Sequence, residues 1–292
     1  MQNDALTTEL AACASPETLL ATIFKHHPDL QAPVPVEPLA LELGIVALRD
    51  LERDAASGAP IAALDQPGGI IRTAPGLPPQ RRRFAIAHAL GHHLLAAHTG
   101  PRDCTTRDLA ENRRDTAHRK EEMQANRFAA GLLMPKPLFA AFVAGLGKPA
   151  VAHLPVIATA YDVTLDAAAS RYADLTQAMC ALVFIKDGMV RLVRPSRSFP
   201  PLAITRGDPA PPTPTPPPGA KGKASWVPAE IRDWLVTTRD KRPPKLTLQT
   251  LALAGGGALI MLFVNAAAER RADEEAEKFA TERPKFGDGR RG

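Results

Sequence analysis

The chain has 292 residues, 45% hydrophobic and 23% charged, enough for one large domain or two small ones with a substantial core. The formal charge is +5, but the basic residues are scattered and cluster only at Arg81, Arg82 and Arg83, so charge alone does not mark a nucleic-acid surface. Cys13, Cys104 and Cys180 are isolated and odd in number with no C-x-x-C pair, which argues against a disulfide framework or a thiolate zinc site and fits a reducing, cytoplasmic setting.

The N-terminus, "MQNDALTTELAAC", carries acids and no basic stretch leading into an apolar core, so no secretory signal is expected. Residues 5–27 alternate polar and apolar with a helical character. Within them "SPETLLATIF" offers Ser15 as an N-cap and Pro16 at the first helical position. "PVPVEPLALELGIVALRDL" reads as a short helix, a turn at Gly44 and a strand. "IAALDQPGGIIRTAPGLP" reads as two short strands around Pro67, Gly68 and Gly69. "RRRFAIAHALGHHLLAAH" repeats apolar residues at Phe84, Ala87, Leu90, Leu94 and Leu95, the spacing of a helix. Residues 99–118 are polar without a period and read as a surface loop.

"KEEMQANRFAAGLLMP" predicts a second strong helix, closed by Pro135 and Pro137. "AHLPVIATAYDVTLDAAASRYADL" has the form helix, short turn, helix. "CALVFIKDGMVRLVR" predicts a β-hairpin around Lys186, Asp187 and Gly188. After Pro200 a proline-rich stretch reads as a semi-rigid linker. "LTLQTLALAGGGALIMLFVNAAA" carries no charge over 23 residues, the length of a membrane span. Gly255, Gly256 and Gly257 break it into two short apolar runs, which favours a buried hairpin over a span near 246–268. The last segment balances acids and bases and reads as a frayed helix and tail.

Chemistry concentrates in the two strong helices. His88 and His92, four residues apart, share one helix face and can grip a cation through imidazole nitrogens. Zinc wants a third protein ligand, and Glu122 on the second helix is the candidate. The small residues Ala125 and Ala129, with Asn126, would let the helices approach closely. Spacing by itself leaves simple packing open for the histidines, and an interaction with the helix dipole open for Glu121 and Glu122.

These residues resemble a known family. "RRRFAIAHALGHHLL" looks like the zinc helix of the ImmA/IrrE metallopeptidases, and "EEMQANRFAAGLLMP" resembles their second signature, E-x-x-A-N-x-F-A with a Leu-Leu-Met-Pro ending. The resemblance runs in order over about 30–200, and more loosely to the end of the chain. It implies an α+β fold: a zincin-like metallopeptidase core, a helix-turn-helix-like module, a β-hairpin and a small C-terminal β-containing region. The expected organisation is an N-terminal helical segment (1–28), the metallopeptidase domain (29–145), the helix-turn-helix-like module with the hairpin (146–200), the linker (201–224) and the C-terminal region (225–292).

The resemblance also implies Zn2+ held by His88, His92 and Glu122. It puts Ala89 where the general-base Glu of H-E-x-x-H should stand. His93, Glu121 and Asn126 are candidates for supporting or substitute roles. Three explanations of Ala89 stand open: a pseudo-peptidase that binds a partner in its zinc cleft, a substitute carboxylate such as Glu121, or an engineered or recent loss. Family members are regulators in mobile-element control and in stress and DNA-damage responses, relieving repression by cleaving or inactivating a DNA-binding repressor. The expected partner is therefore a helix-turn-helix repressor. The alternative is a DNA-binding or scaffold regulator acting through residues 151–175, but Arg171 is the only basic residue in "ATAYDVTLDAAASRYADL", which makes direct DNA binding unfavoured.

Overall fold

The computed structural model describes residues 4–52, 60–110, 115–213, 225–237 and 244–265. The chain divides into two compact units, Met1–Gly147 with His153–Tyr172, and Lys148–Ala152 with Ala173–Gly292.

The first unit opens with helices α1 (Asp4–Ala11) and α2 (Pro16–His26). The Ser15 hydroxyl accepts from the Thr18 amide and Thr18 Oγ1 accepts from the Ser15 amide, a reciprocal cap that satisfies two backbone donors at the start of α2. Helix α3 (Val36–Glu42) ends at Gly44, whose φ of +99° turns the chain into strand β1 (Ala47–Asp50). Strands β2 (Ala62–Asp65) and β3 (Ile70–Thr73) follow, then helix α4 (Pro79–Leu94), strand β4 (Arg102–Cys104) and helix α5 (Ala117–Leu133). The sheet order is β1-β3-β2-β4, with β1 parallel to β3 and the other pairs antiparallel. Residues 99–118 are thus more than a surface loop. They contribute β4, a short 3-10 turn at Asp108–Ala110 and the start of α5. A three-residue strand held by long-range pairing leaves no periodic trace in a polar segment.

Every residue of α4 from Ala85 to His92 is buried. Helix α5 lies so close that a Cβ on Gly91 would sit 3.0 Å from the Phe128 ring and 3.2 Å from the Ala125 Cα. Pro135 ends α5, and Pro137 sits at the start of α6 (Lys136–Gly145), where its missing N–H costs nothing. Helices α7 (His153–Tyr161) and α8 (Leu165–Leu175) are joined at Asp162, which α4 clamps: Gln80 donates to Asp162 Oδ1 at 2.8 Å and Arg83 pairs with Oδ2 at 3.1 Å. Arg82 pairs with Glu37. Two of the three clustered arginines are therefore engaged within the fold.

The second unit is a five-stranded antiparallel sheet of order β6-β5-β9-β8-β7, built from β5 (Met179–Lys186), β6 (Met189–Pro195), β7 (Val227–Pro228), β8 (Leu246–Ala252) and β9 (Ala258–Val264). Asp187 and Gly188, both at positive φ, form the β5–β6 turn, and Gly255 and Gly256, also at positive φ, lie between β8 and β9. Trp234 of the short helix α9 (Ile231–Trp234) packs with Val183, Leu248 and Ile260 in its core. The uncharged run is thus a hairpin. Its second strand is central, so it needs apolar side chains on both faces and reads as a continuous apolar stretch. Among the described residues no single helix is long and apolar enough to cross a membrane.

Residues at the start of the proline-rich stretch hydrogen-bond to elements of the same unit: Ala203 donates to Trp234 O of α9 and Ala210 to Gly188 O of the β5–β6 turn, each at 2.8 Å. The rest of that stretch, 214–224, and the tail from 266 lie outside the described residues.

Candidate metal centre

The i, i+4 spacing on α4 brings His88 Nε2 and His92 Nε2 to 3.1 Å. From α5, Glu122 sets Oε2 at 3.2 Å from His88 Nε2 and Oε1 at 3.4 Å from His92 Nε2. Both histidines are 0% exposed and Glu122 2%. Glu122 Oε2 has no hydrogen-bond partner despite its burial, although an imidazole nitrogen is near. The three groups converge on a shared centre, with mutual contacts of 3.1 to 3.4 Å. A tetrahedral zinc with bonds of about 2.0–2.1 Å separates its ligand atoms by about 3.3 Å, which these spacings match. The residues present therefore fit a zinc ion.

A second set of contacts orients the imidazoles. Asn126 Oδ1 lies 2.9 Å from His88 Nδ1, and Asn126 Nδ2 in turn donates to Asp108 O at 2.8 Å. Since the amide oxygen only accepts, the His88 proton sits on Nδ1 and the Nε2 lone pair faces the centre. His92 Nδ1 is 3.0 Å from His98 Nδ1, and His98 Nε2 is 3.1 Å from Gln124 Oε1. Gln124 Oε1 fixes the His98 proton on Nε2. His98 Nδ1 then accepts from His92 Nδ1–H, so His92 Nε2 also presents a lone pair.

Burial pushes His92 down to about 4, outweighing the pull of Glu122 in the other direction, so the ring is neutral near pH 7. Burial opposes ionisation of Glu122, but His88 and His92 together hold its carboxyl well below the usual range. Deprotonated carboxylate and neutral imidazoles are the forms a divalent cation requires.

The other candidates separate. Ala89 is fully buried beside His88 and supplies only a methyl group. Glu121 pairs with Arg102 at 2.7 Å and stands outside the donor group. His93 points the other way, its Nε2 facing Gly44. His118 is exposed, with Nδ1 3.8 Å from Glu122 Oε1. His98 is buried in the hydrogen-bond chain.

One residue was missed. Cys104 Sγ joins His88, His92 and Glu122 in a group of donor atoms all within 4.8 Å of one another. The absence of C-x-x-C spacing had argued against a thiolate ligand. Cys104 arrives instead by the pairing of β4 with β2, which spacing along the chain does not express. Burial, with the charges of Glu122 and Asp108, raises its thiol well above the usual range.

Residues 40–172 match the Peptidase_M78 family, described as an IrrE N-terminal-like domain. The match covers 133 of the 292 residues, and over that segment the chain resembles an IrrE N-terminal-like domain. The α+β fold accords with a zincin-like core, and the matched segment contains His88, Ala89, His92, Cys104 and Glu122. No curated protein matches the chain. Among solved structures, a Mycobacterium tuberculosis transcriptional regulator is similar with a TM-score of 0.50 and 13% identity, over 92% of this chain and 83% of that one, a likeness of fold.

Proposed function

We propose that this chain is a zinc-binding, non-hydrolytic regulator of the Peptidase_M78 family that acts by binding a helix-turn-helix repressor. The observation that carries this reading is a donor set of His88, His92 and Glu122 beside an alanine at position 89. Zinc, when bound, supplies Lewis acidity, while the proton transfers of peptide hydrolysis fall to a neighbouring base. Ala89 cannot serve, and Glu121 is engaged by Arg102. Loss of such a base typically costs on the order of 10²–10⁴ in rate. The similarity to a solved transcriptional regulator supports a regulatory role. A cytoplasmic setting suits Cys13, Cys104 and Cys180, all unpaired.

Direct DNA binding through α7 and α8 is disfavoured by Arg171, whose guanidinium donates to Met134 O at 2.7 and 3.0 Å. The recognition helix would have no other cation to offer.

Two measurements test the proposal. The purified protein should carry near-stoichiometric zinc that a His88→Ala, His92→Ala variant lacks. It should also capture, uncut, a helix-turn-helix repressor encoded beside its gene. Cleavage of that repressor by the wild-type chain, or absence of zinc, would overturn the reading.

A further inference from the structure

We propose that Cys104 is a fourth protein ligand, so that His88, His92, Glu122 and Cys104 form a closed, structural zinc site that fastens β4 against α4 and α5. The inference deepens the proposal that the two histidines and Glu122 bind zinc, and it rests on that proposal.

Four observations carry it. The Cys104 Sγ shares one donor cluster with the other three residues, and all four are buried. Glu122 Oε2, 98% buried by its residue's 2% exposure and without a hydrogen-bond partner, aims into the same cluster. Along β4 the burial alternates, with Asp103 exposed and Cys104 buried, and the backbone fixes that register through Ala62 opposite Cys104 and the Ile61 amide donating to Cys104 O at 2.8 Å. The other end of β4 is tied to α5 as well, by Arg102 on Glu121, the neighbour of Glu122.

Charge and coordination number agree. Two neutral imidazoles, one carboxylate and one thiolate carry two negative charges, which a divalent cation cancels in a buried place. Structural zinc sites have four protein ligands, whereas catalytic sites keep one position open for water or substrate. A thiolate in the fourth position closes the site. Strand β4 pairs with β2 at the end of the sheet, so the site would fix the terminal strand to the helix pair. The missing base at Ala89 and the filled fourth position thus describe one change of use, from hydrolysis to holding a strand.

Zinc-edge X-ray absorption on the full-length, zinc-loaded wild-type protein decides it without any variant. One sulfur neighbour at about 2.3 Å with nitrogen and oxygen neighbours at about 2.0–2.2 Å is expected. Cobalt substitution gives a second measurement. The wild-type protein should show a thiolate-to-cobalt charge-transfer band that Cys104→Ser loses while tetrahedral cobalt bands remain. Zinc affinity in Cys104→Ser should fall by more than the roughly 10–100-fold that loss of an outer hydrogen-bond partner costs. Bound zinc with only nitrogen and oxygen neighbours overturns the role of Cys104 and leaves the three-ligand reading standing. No bound zinc, or zinc retained in His88→Ala, His92→Ala, overturns both. Should Cys104→Ser fail to fold, the wild-type absorption spectrum still decides.

Discussion

Asn126 illustrates how a residue outside the proposed ligand set would govern the candidate metal centre. Its side-chain oxygen holds the His88 proton on Nδ1, and its amide is anchored on Asp108 O. Asn126→Ala should weaken zinc binding by roughly 10–100-fold with the fold intact, measurable by competition with a chromophoric chelator. His92 sets a pH dependence. Its folded value of about 4 lies below the ordinary histidine value of 6.5, so between these the unfolded chain binds a proton that the folded chain does not. Stability from this group is complete above about 6.5 and declines as the pH falls toward 4, by on the order of 3 kcal/mol. Glu122, held low, adds loss in the same direction at still lower pH. Denaturant titrations of the metal-free protein should show unfolding midpoints dropping through that window. Of the residues involved, His88, His92 and Glu122 were legible because helical spacing and two signature stretches point to them. Cys104 was not, since nothing within the sequence around it encodes what it faces.

At the level of elements, the centre depends on how closely α4 and α5 approach. Gly91 makes that approach possible, because a Cβ there would already press on Phe128 and on the Ala125 backbone. Gly91→Val should therefore destabilise by about 1–3 kcal/mol through overpacking, and should lower zinc affinity by displacing Glu122, checked by thermal melts with and without zinc. Helices α2, α4 and α5 were readable from periodicity and caps, and the β5–β6 and β8–β9 hairpins from glycine turns flanked by apolar runs. Strand β4 was not, because three residues have no period and their stability comes from β2. The Gln80 and Arg83 clamps on Asp162 were equally silent, being contacts across about 80 positions of chain.

For the molecule as a whole, every donor of the centre lies in the first unit, while Trp226 and Trp234, the only two tryptophans, lie in the second. Removing the metal should therefore act unequally. Chelation is expected to lower the helical far-ultraviolet melt, which reports mainly the first unit, more than the tryptophan-fluorescence melt. The loss should reach about 4 kcal/mol relative to zinc at a thousandfold its Kd. Equal shifts of both signals would contradict a metal site confined to the first unit. The sequence by itself determined the helix pair and the hairpins, because amphipathic periodicity, caps and glycine turns are local properties of the chain, and its two signature stretches carried the resemblance that implied the α+β class and put Ala89 where the family has its general base. Only the tertiary structure decided that Cys104 meets the histidines, that Glu121 is engaged by Arg102 and that β4 covers the β2 edge. Those facts depend on strand pairing and helix approach between distant segments, where the energy lies in burial and convergence and leaves no local pattern to read.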